Sequence, residues 1–216
     1  MISLPTHIAP GALQGLKVFV AGTPFPNAST DAIVRALTAA GASYLAQPNR
    51  ADMVIAFDQH ERIVTRQHKM LHDIPRIGPA TAAAVLSGRV PLVEALRRIN
   101  EYPLLWKCGV VLAGVDHEER EMVTLAAELA GATVLSGFGH GDRKYVMVVG
   151  QEAVISEMTK TRAFRAGALR IAAQDLLDIG TFAARRRIRA ALGIGTDEVP
   201  GLHAVEPPID DFAPCF

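Results

Sequence analysis

Hydrophobic and polar positions along this chain fall into short blocks, and the blocks occur twice. Lys17-Val18-Phe19-Val20-Ala21-Gly22 is a β-branched apolar run that closes on glycine, and Cys108-Gly109-Val110-Val111-Leu112-Ala113-Gly114 is a run of the same kind. Apolar runs of this length bounded by turn residues predict buried strands. Each is followed by a stretch of helical spacing that ends on Ala-Gly-Ala, at 40–42 and at 130–132. Short strands are predicted next, at Ser43 to Ala46 and Thr133 to Leu135, then apolar runs at Met53 to Phe57 and Tyr145 to Val149. Helical segments follow, from about Glu61 to His72 and Glu152 to Arg165. A fourth strand at Ile74 to Ile77 or Leu169 to Ala172 leads into a short helix around Ala80 to Leu86 or Gln174 to Ile179. The order β-α-β-β-α-β-α is thus repeated at an offset of roughly 90 residues, the size of a small domain.

Local signals agree with these elements. Ser29-Thr30-Asp31 precedes Ile33, Val34 and Leu37, a cap followed by helical spacing. Asp116 precedes Glu118, Glu119 and Glu121, acids favoured by the dipole at a helix start. Gly41 and Gly131 suit the left-handed position after a helix. Leu92 to Ile99 has helical spacing within a linker, and Trp106, just before the second copy, reads as a packing anchor at the junction. The chain divides into an N-terminal extension (1–11), repeat one (12–92), a linker (93–104), repeat two (105–182), and a C-terminal helix and extended tail (183–216). The tail from Gly195 holds four prolines and several acids without periodicity.

Composition narrows the class. Half of the 216 residues are hydrophobic and a fifth are charged, which argues against disorder. Twenty-two basic and 22 acidic residues cancel, so bulk electrostatic capture of nucleic acid is not expected. Two cysteines, Cys108 and Cys215, are too few for a disulfide framework, and Cys108 reads as a buried thiol. No apolar stretch reaches the ~20 residues of a membrane span. The first residues, Met1 to Gly11, lack the pattern of a signal peptide.

The doubled order, the small-residue-Gly ending of the first strand (Ala21-Gly22 and Ala113-Gly114) and the Ala-Gly-Ala turn after the first helix resemble the BRCT domain in its tandem arrangement. The segment from Gly22-Thr23-Pro24-Phe25-Pro26-Asn27 through Thr30-Asp31 is similar in style to the family's first loop. The likeness covers about residues 12–92 and 105–182. It implies an α/β fold of two repeats, each a small four-stranded parallel sheet flanked by helices, packed in tandem. The sequence departs from the family in lacking a Trp in the final short helix of each copy, where Leu86, Leu176 or Leu177 is available to fill the space.

The resemblance also implies a non-enzymatic, monomeric scaffold without cofactors that binds a phosphoserine or phosphothreonine peptide. Its process would be nuclear: DNA-damage response, or chromosome segregation at the kinetochore. A phosphate brings about −1.5 to −2 charges and three acceptor oxygens, so it calls for a hydroxyl, a backbone N–H and a cation. Carried over to this chain, Gly22 offers the N–H and Lys69 or Arg66 the cation. The family's hydroxyl position falls on Ala21, and Thr23 is the nearest substitute. Ser29 and Thr30 read as helix-cap residues. Met70 and Leu71 would face the peptide groove. Tandem packing would place Ile63, Val64, Met70 and Leu71 against Leu176, Leu177 and Ile179. In repeat two, Ala113, Gly114 and Lys160 align similarly, but the acids at 118, 119 and 121 are expected to repel phosphate, which leaves that copy as structural support.

Other constellations compete. His68 and His72 share a helix face near His60, yet no further ligand completes a metal site. Gly137-Phe138-Gly139-His140-Gly141-Asp142 lacks phosphate-loop spacing and reads as a flexible connection. Arg185, Arg186, Arg187 and Arg189 lie in a helix-compatible stretch from Phe182 to Leu192. Either this is a solvated face with Phe182, Ile188 and Leu192 packed inward, or it contacts DNA. Two other readings stay open: a tandem module that binds DNA or an unphosphorylated partner, and a Rossmann-like nucleotide-binding enzyme.

Overall fold

In the computed structural model, residues 2–57, 74–101, 103–139, 143–151 and 154–194 are described. The first repeat comprises β1 (Lys17–Ala21), α1 (Thr30–Ala39), β2 (Ser43–Leu45), β3 (Met53–Ala56), β4 (Arg76–Ile77) and α2 (Pro79–Leu86). Helix α3 (Leu92–Glu101) follows. The second comprises β5 (Gly109–Ala113), α4 (His117–Leu129), β6 (Thr133–Leu135), β7 (Tyr145–Val149), α5 (Glu157–Arg165), β8 (Leu169–Ala172) and α6 (Ala173–Leu177), with α7 (Phe182–Leu192) last. Two separate four-stranded sheets result, in the orders β2-β1-β3-β4 and β6-β5-β7-β8, with every pairing parallel. A single doubly wound sheet, as the Rossmann reading needs, is not what forms.

Parallel strands buried on both faces read as unbroken apolar runs. β3, β5 and β7 are buried at every residue. In repeat two, alternate residues serve opposite faces. Val110, Leu112, Val146 and Val148 join the core that includes α4, α6 and α7. Ala113, Met147 and Val149 pack with Ala163 of α5 on the other side. Leu86 and Leu176 are fully buried in the short closing helices and fill the space for which no Trp is present. Gly41 and Gly131 sit at φ +86° directly beyond their helices. Cys108 is buried, and burial pushes its thiol up.

Several details differ from the sequence reading. β4 is shorter than Ile74 to Ile77, because Pro75 has no N–H for the ladder and contributes only its carbonyl, which accepts from Val54 at 2.9 Å. α5 starts at Glu157, not Glu152, since Ser156 caps it by accepting from the Thr159 N–H at 3.2 Å. Phe182 points outward at 76% exposure, while Ile188 and Leu192 are buried; two residues before Ala184, it lies about 160° round the helix from that residue and off the buried stripe of Ala184, Ile188 and Leu192. Trp106 is half exposed and lies against Gly131 and Pro103 of its own half. The N-terminal extension docks on repeat one, with Ile2, Leu4 and Ile8 against its core and the Ala9 N–H donating to the Leu86 carbonyl at 2.8 Å.

The junction between repeats also differs. α2 and α3 of the first half pack on α4 of the second, and Leu129 belongs to the first repeat's core. Leu176, Leu177 and Ile179 pack into their own repeat instead, because α6 lies on α4 and α7. The other expected contact residues, Ile63, Val64, Met70 and Leu71, lie outside the described residues. Arg89 forms an ion pair with Glu121 across the junction. Glu128, buried on α4, accepts the Ala80 N–H at 3.1 Å through Oε1 and the Thr81 N–H at 2.7 Å through Oε2. No helix is long and apolar enough to cross a membrane among the described residues.

Candidate functional site

The carboxyl ends of the two parallel sheets are where crevices form in α/β proteins, and in both repeats a glycine follows the first strand there, Gly22 and Gly114. In repeat one, β1 runs into Gly22, which is exposed at φ +69° with nothing within 4 Å of where a Cβ would project. Thr23 beside it is exposed. Pro24 and Phe25 then turn inward, and Phe25 is fully buried, which ties the loop to the core. Ser29 caps α1 by accepting from the Ala32 N–H at 3.2 Å, which engages its hydroxyl, and Thr30 is the first helical residue. The methyl of Ala21 is buried with Val54 and Ala56. Gly22 and Thr23 are therefore adjacent at an open edge. Lys69, Arg66, Met70 and Leu71 fall outside the described residues, as do His60, His68 and His72.

Repeat two has the same edge, built differently. Gly114 at φ +62° ends β5, and Gly150 approaches so closely that a Cβ there would lie 2.1 Å from the Gly114 carbonyl oxygen. Around this turn lies a cleft of about 740 Å³. Its walls are the end of β5 with Gly114, the loop Ser136–Gly139, the approach to α5 at Val154–Ser156, and Thr159, Arg162, Arg165 and Ala166 on and after α5. The glycine-containing loop is pinned at this wall: the Gly139 N–H donates to Tyr145 Oη at 3.2 Å, and Phe138 meets the Tyr145 ring edge-on at 5.9 Å. Lys160, the cation singled out from sequence, pairs with Glu157 at 2.7 Å and does not line the cleft. Glu118, Glu119 and Glu121 do not line it either.

Sequence reasoning missed Arg162 and Arg165. The signal was present: Thr159, Arg162 and Ala166 follow the Ser156 cap at helical spacing, so they share one stripe. The basic run of α7 is dispersed. At 100° per residue Arg185 and Arg187 project to opposite sides. Arg187 pairs with Asp175 at 2.6 Å, and Arg185 donates to the Gly180 and Thr181 carbonyls.

No family model and no curated sequence matches the chain. Among solved structures it is similar to BRCT repeats 3 and 4 of S. pombe Rad4, at 17% identity and a TM-score of 0.33, covering 77% of this chain and 90% of that one. It is similar to Rad4 BRCT repeats 1 and 2 in complex with a Crb2 phosphopeptide, at 17% identity and a TM-score of 0.32, covering 82% and 94%. A third likeness is to yeast Rtt107 with Mms22, at 12% identity and a TM-score of 0.33, covering 81% and 42%. These overlaps are loose, and the topology is read from the chain itself. Two four-stranded parallel sheets, with their elements in the order that each repeat's sequence lays out, give the chain a tandem α/β fold similar in arrangement to paired BRCT repeats.

Proposed function

We propose that this chain is a non-enzymatic interaction module that binds a phosphoserine- or phosphothreonine-bearing segment of a partner protein, and that it serves as a nuclear scaffold in DNA-damage response or chromosome segregation. The observation that carries the reading is the open edge at Gly22 and Thr23: a left-handed glycine with free space in front of it, an exposed hydroxyl next to it, and a loop anchored by buried Phe25. Backbone N–H groups at such turns and an adjacent hydroxyl suit a phosphate oxygen. The BRCT resemblance supplies the class of ligand, the cation at Lys69 or Arg66, and the groove at Met70 and Leu71.

The test combines Thr23→Ala with Lys69→Glu in a fluorescence-polarisation screen against phosphopeptide mixtures. Both changes together should remove binding while the circular dichroism spectrum and melting temperature stay as in the parent. Phosphopeptide binding that survives both changes would place the pocket elsewhere.

A second reading rests on Ala21. Its methyl is buried where the family's hydroxyl would stand, which favours a module for an unphosphorylated partner or for DNA. Equal binding of a peptide and its phosphorylated form supports this alternative. A gel shift that weakens with salt and is lost on reversing Arg185, Arg186, Arg187 and Arg189 would assign DNA.

A further inference from the structure

We propose that the proton on Glu128 is a latch between the repeats: with it, α2 and α4 stay closed on each other, and when it leaves, the two halves part while each stays folded. The latch is independent of any phosphopeptide, because it is built from the junction alone.

Glu121, Leu125, Glu128 and Leu129 recur at helical spacing and form the face that α4 turns toward repeat one. Leu125 and Leu129 pack with the first repeat's core, although both belong to the second. Glu128 stands in the same stripe at 2% exposure, with its carboxyl group over the first turn of α2. Gly78 closes the pocket from the side of repeat one. A Cβ there would lie 2.4 Å from the carboxyl carbon, so no water layer separates Gly78 from the acid.

Each carboxyl oxygen accepts one backbone N–H, Oε1 from Ala80 and Oε2 from Thr81. The Thr81 hydroxyl is fully buried at the same place and has no hydrogen bond of good geometry among the described residues. A carboxylic acid finds an acceptor in that oxygen, and a carboxylate finds a third donor. Both charge states are thus open to hydrogen bonding, and what separates them is the burial of charge. An enclosed carboxylate is costly until water reaches it, and parting α2 from α4 lets water in. Burial accordingly pushes the carboxyl up to about 7, against the pull of Thr81 and Ala80. The closed junction keeps the proton, whereas an open one, with the acid in water, releases it near the ordinary 4.5. Closure is therefore strongest below pH 4.5. It weakens by up to about tenfold per pH unit as pH rises to 7, and levels off above.

The elements around Glu128 carry charges that already have partners. No ionisable residue lies on α2 or β6. After α2, Arg89 pairs with Glu121, and on α3, Arg97 and Arg98 pair with Glu94. Asp175 of α6 pairs with Arg187. Arg76 on β4 is half-buried, Glu101 ends α3, and Arg120 lies two turns before Glu128 on α4. The forces on the carboxyl are burial and the donors of Thr81 and Ala80.

The experiment is thiol labelling of the full chain from pH 5 to pH 8. Leu129→Cys is the probe of the junction. Native Cys108, buried in the core of repeat two, is the probe of unfolding. Cys215→Ser removes the remaining thiol. Rates are divided by those of the urea-unfolded chain at the same pH, which takes out the thiolate fraction. Position 129 should label about tenfold or more faster than Cys108, and its corrected rate should rise about fortyfold from pH 5 to pH 7. Glu128→Gln should abolish that rise. Equal rates at 129 and Cys108 would mean that the repeats part only by unfolding, and would overturn the proposal. A flat rate at 129 overturns it too, as does a rise that survives Glu128→Gln. Leu125→Cys repeats the measurement one turn earlier if the variant at 129 does not fold. The parent chain, free of substitutions, gives a further check by hydrogen exchange. Protection of the Ala80 and Thr81 amides should fall along the ¹³C titration of the Glu128 carboxyl carbon, and protection that ignores that titration overturns the latch.

Discussion

Glu128 should make the stability of this chain fall as pH rises. Helix α2 of repeat one begins at Pro79, whose ring nitrogen has no hydrogen to offer. Its N-cap is Gly78, which has no side chain to cap with. Ala82 donates to the Gly78 carbonyl, so the exposed-donor problem of a helix start reduces to Ala80 and Thr81. Both donate to the carboxyl group of Glu128, a residue of repeat two, at 3.1 and 2.7 Å. The site is fully enclosed. Burial pushes the carboxyl up to about 7 from an ordinary 4.5, against the opposing pull of the two backbone donors.

The folded chain therefore holds this proton more tightly than the unfolded chain does. Between pH 4.5 and 7, folding takes up a proton, so stability declines as pH rises through that window and levels off above it. At about 1.4 kcal/mol per pH unit the full span is about 3 kcal/mol, a large share of the roughly 5–15 kcal/mol that holds a typical domain. Glu128→Gln keeps the shape and one acceptor and cannot titrate. Its amide group opposes one N–H, so it should cost about 1–3 kcal/mol at low pH. Glu128→Ala leaves two buried donors unpaired and should cost about 3–5 kcal/mol. The assay is urea unfolding of the full chain at pH 5, 6, 7 and 8. Taking the difference between parent and Gln variant removes every contribution that the two share. That difference should shrink as pH rises. A difference that stays constant or grows would refute the account of Glu128.

Three further outcomes follow from the same contacts. Gly78→Ala drives a Cβ to 2.4 Å from the Glu128 carboxyl carbon; it should cost about 2–4 kcal/mol in the parent and clearly less beside Glu128→Ala, a coupling read by a double-mutant cycle in urea. Gly150→Ala sets a Cβ at 2.1 Å from the Gly114 carbonyl oxygen, which is backbone and cannot swing away; a melting temperature within 1–2 °C of the parent would contradict the packing described, since about 2–4 kcal/mol should be lost. Arg89→Ala breaks a half-exposed ion pair with Glu121 and should change stability by under about 1 kcal/mol in thermal unfolding.

The fold was legible because its strands are buried on both faces. Met53 to Ala56 and Tyr145 to Val149 stand out as apolar blocks, and the capping and terminating residues at Ser29, Gly41 and Gly131 lie where helix ends need them. Doubling made each half a check on the other. The junction was harder to see. An apolar residue such as Leu176 fits its own core or a neighbour's equally well by spacing, and Glu128 looks like any exposed acid on a helix until Gly78 and Pro79 are brought against it. The cleft of repeat two was obscured for a related reason. Lys160 and Arg162 are equally basic in the sequence, and only the geometry shows that Glu157 takes one and leaves the other at the wall.

The two corrections are linked. Because α4 is the helix through which repeat two meets repeat one, its residues face a neighbour, and its acid Glu121 is met by Arg89 while Glu128 serves a helix start. Of the acids that the sequence places near Gly114, Glu121 is thereby engaged at the junction, on the sheet face away from α5. The helix chosen for tandem packing thus determines which of the acids of α4 are held between the repeats.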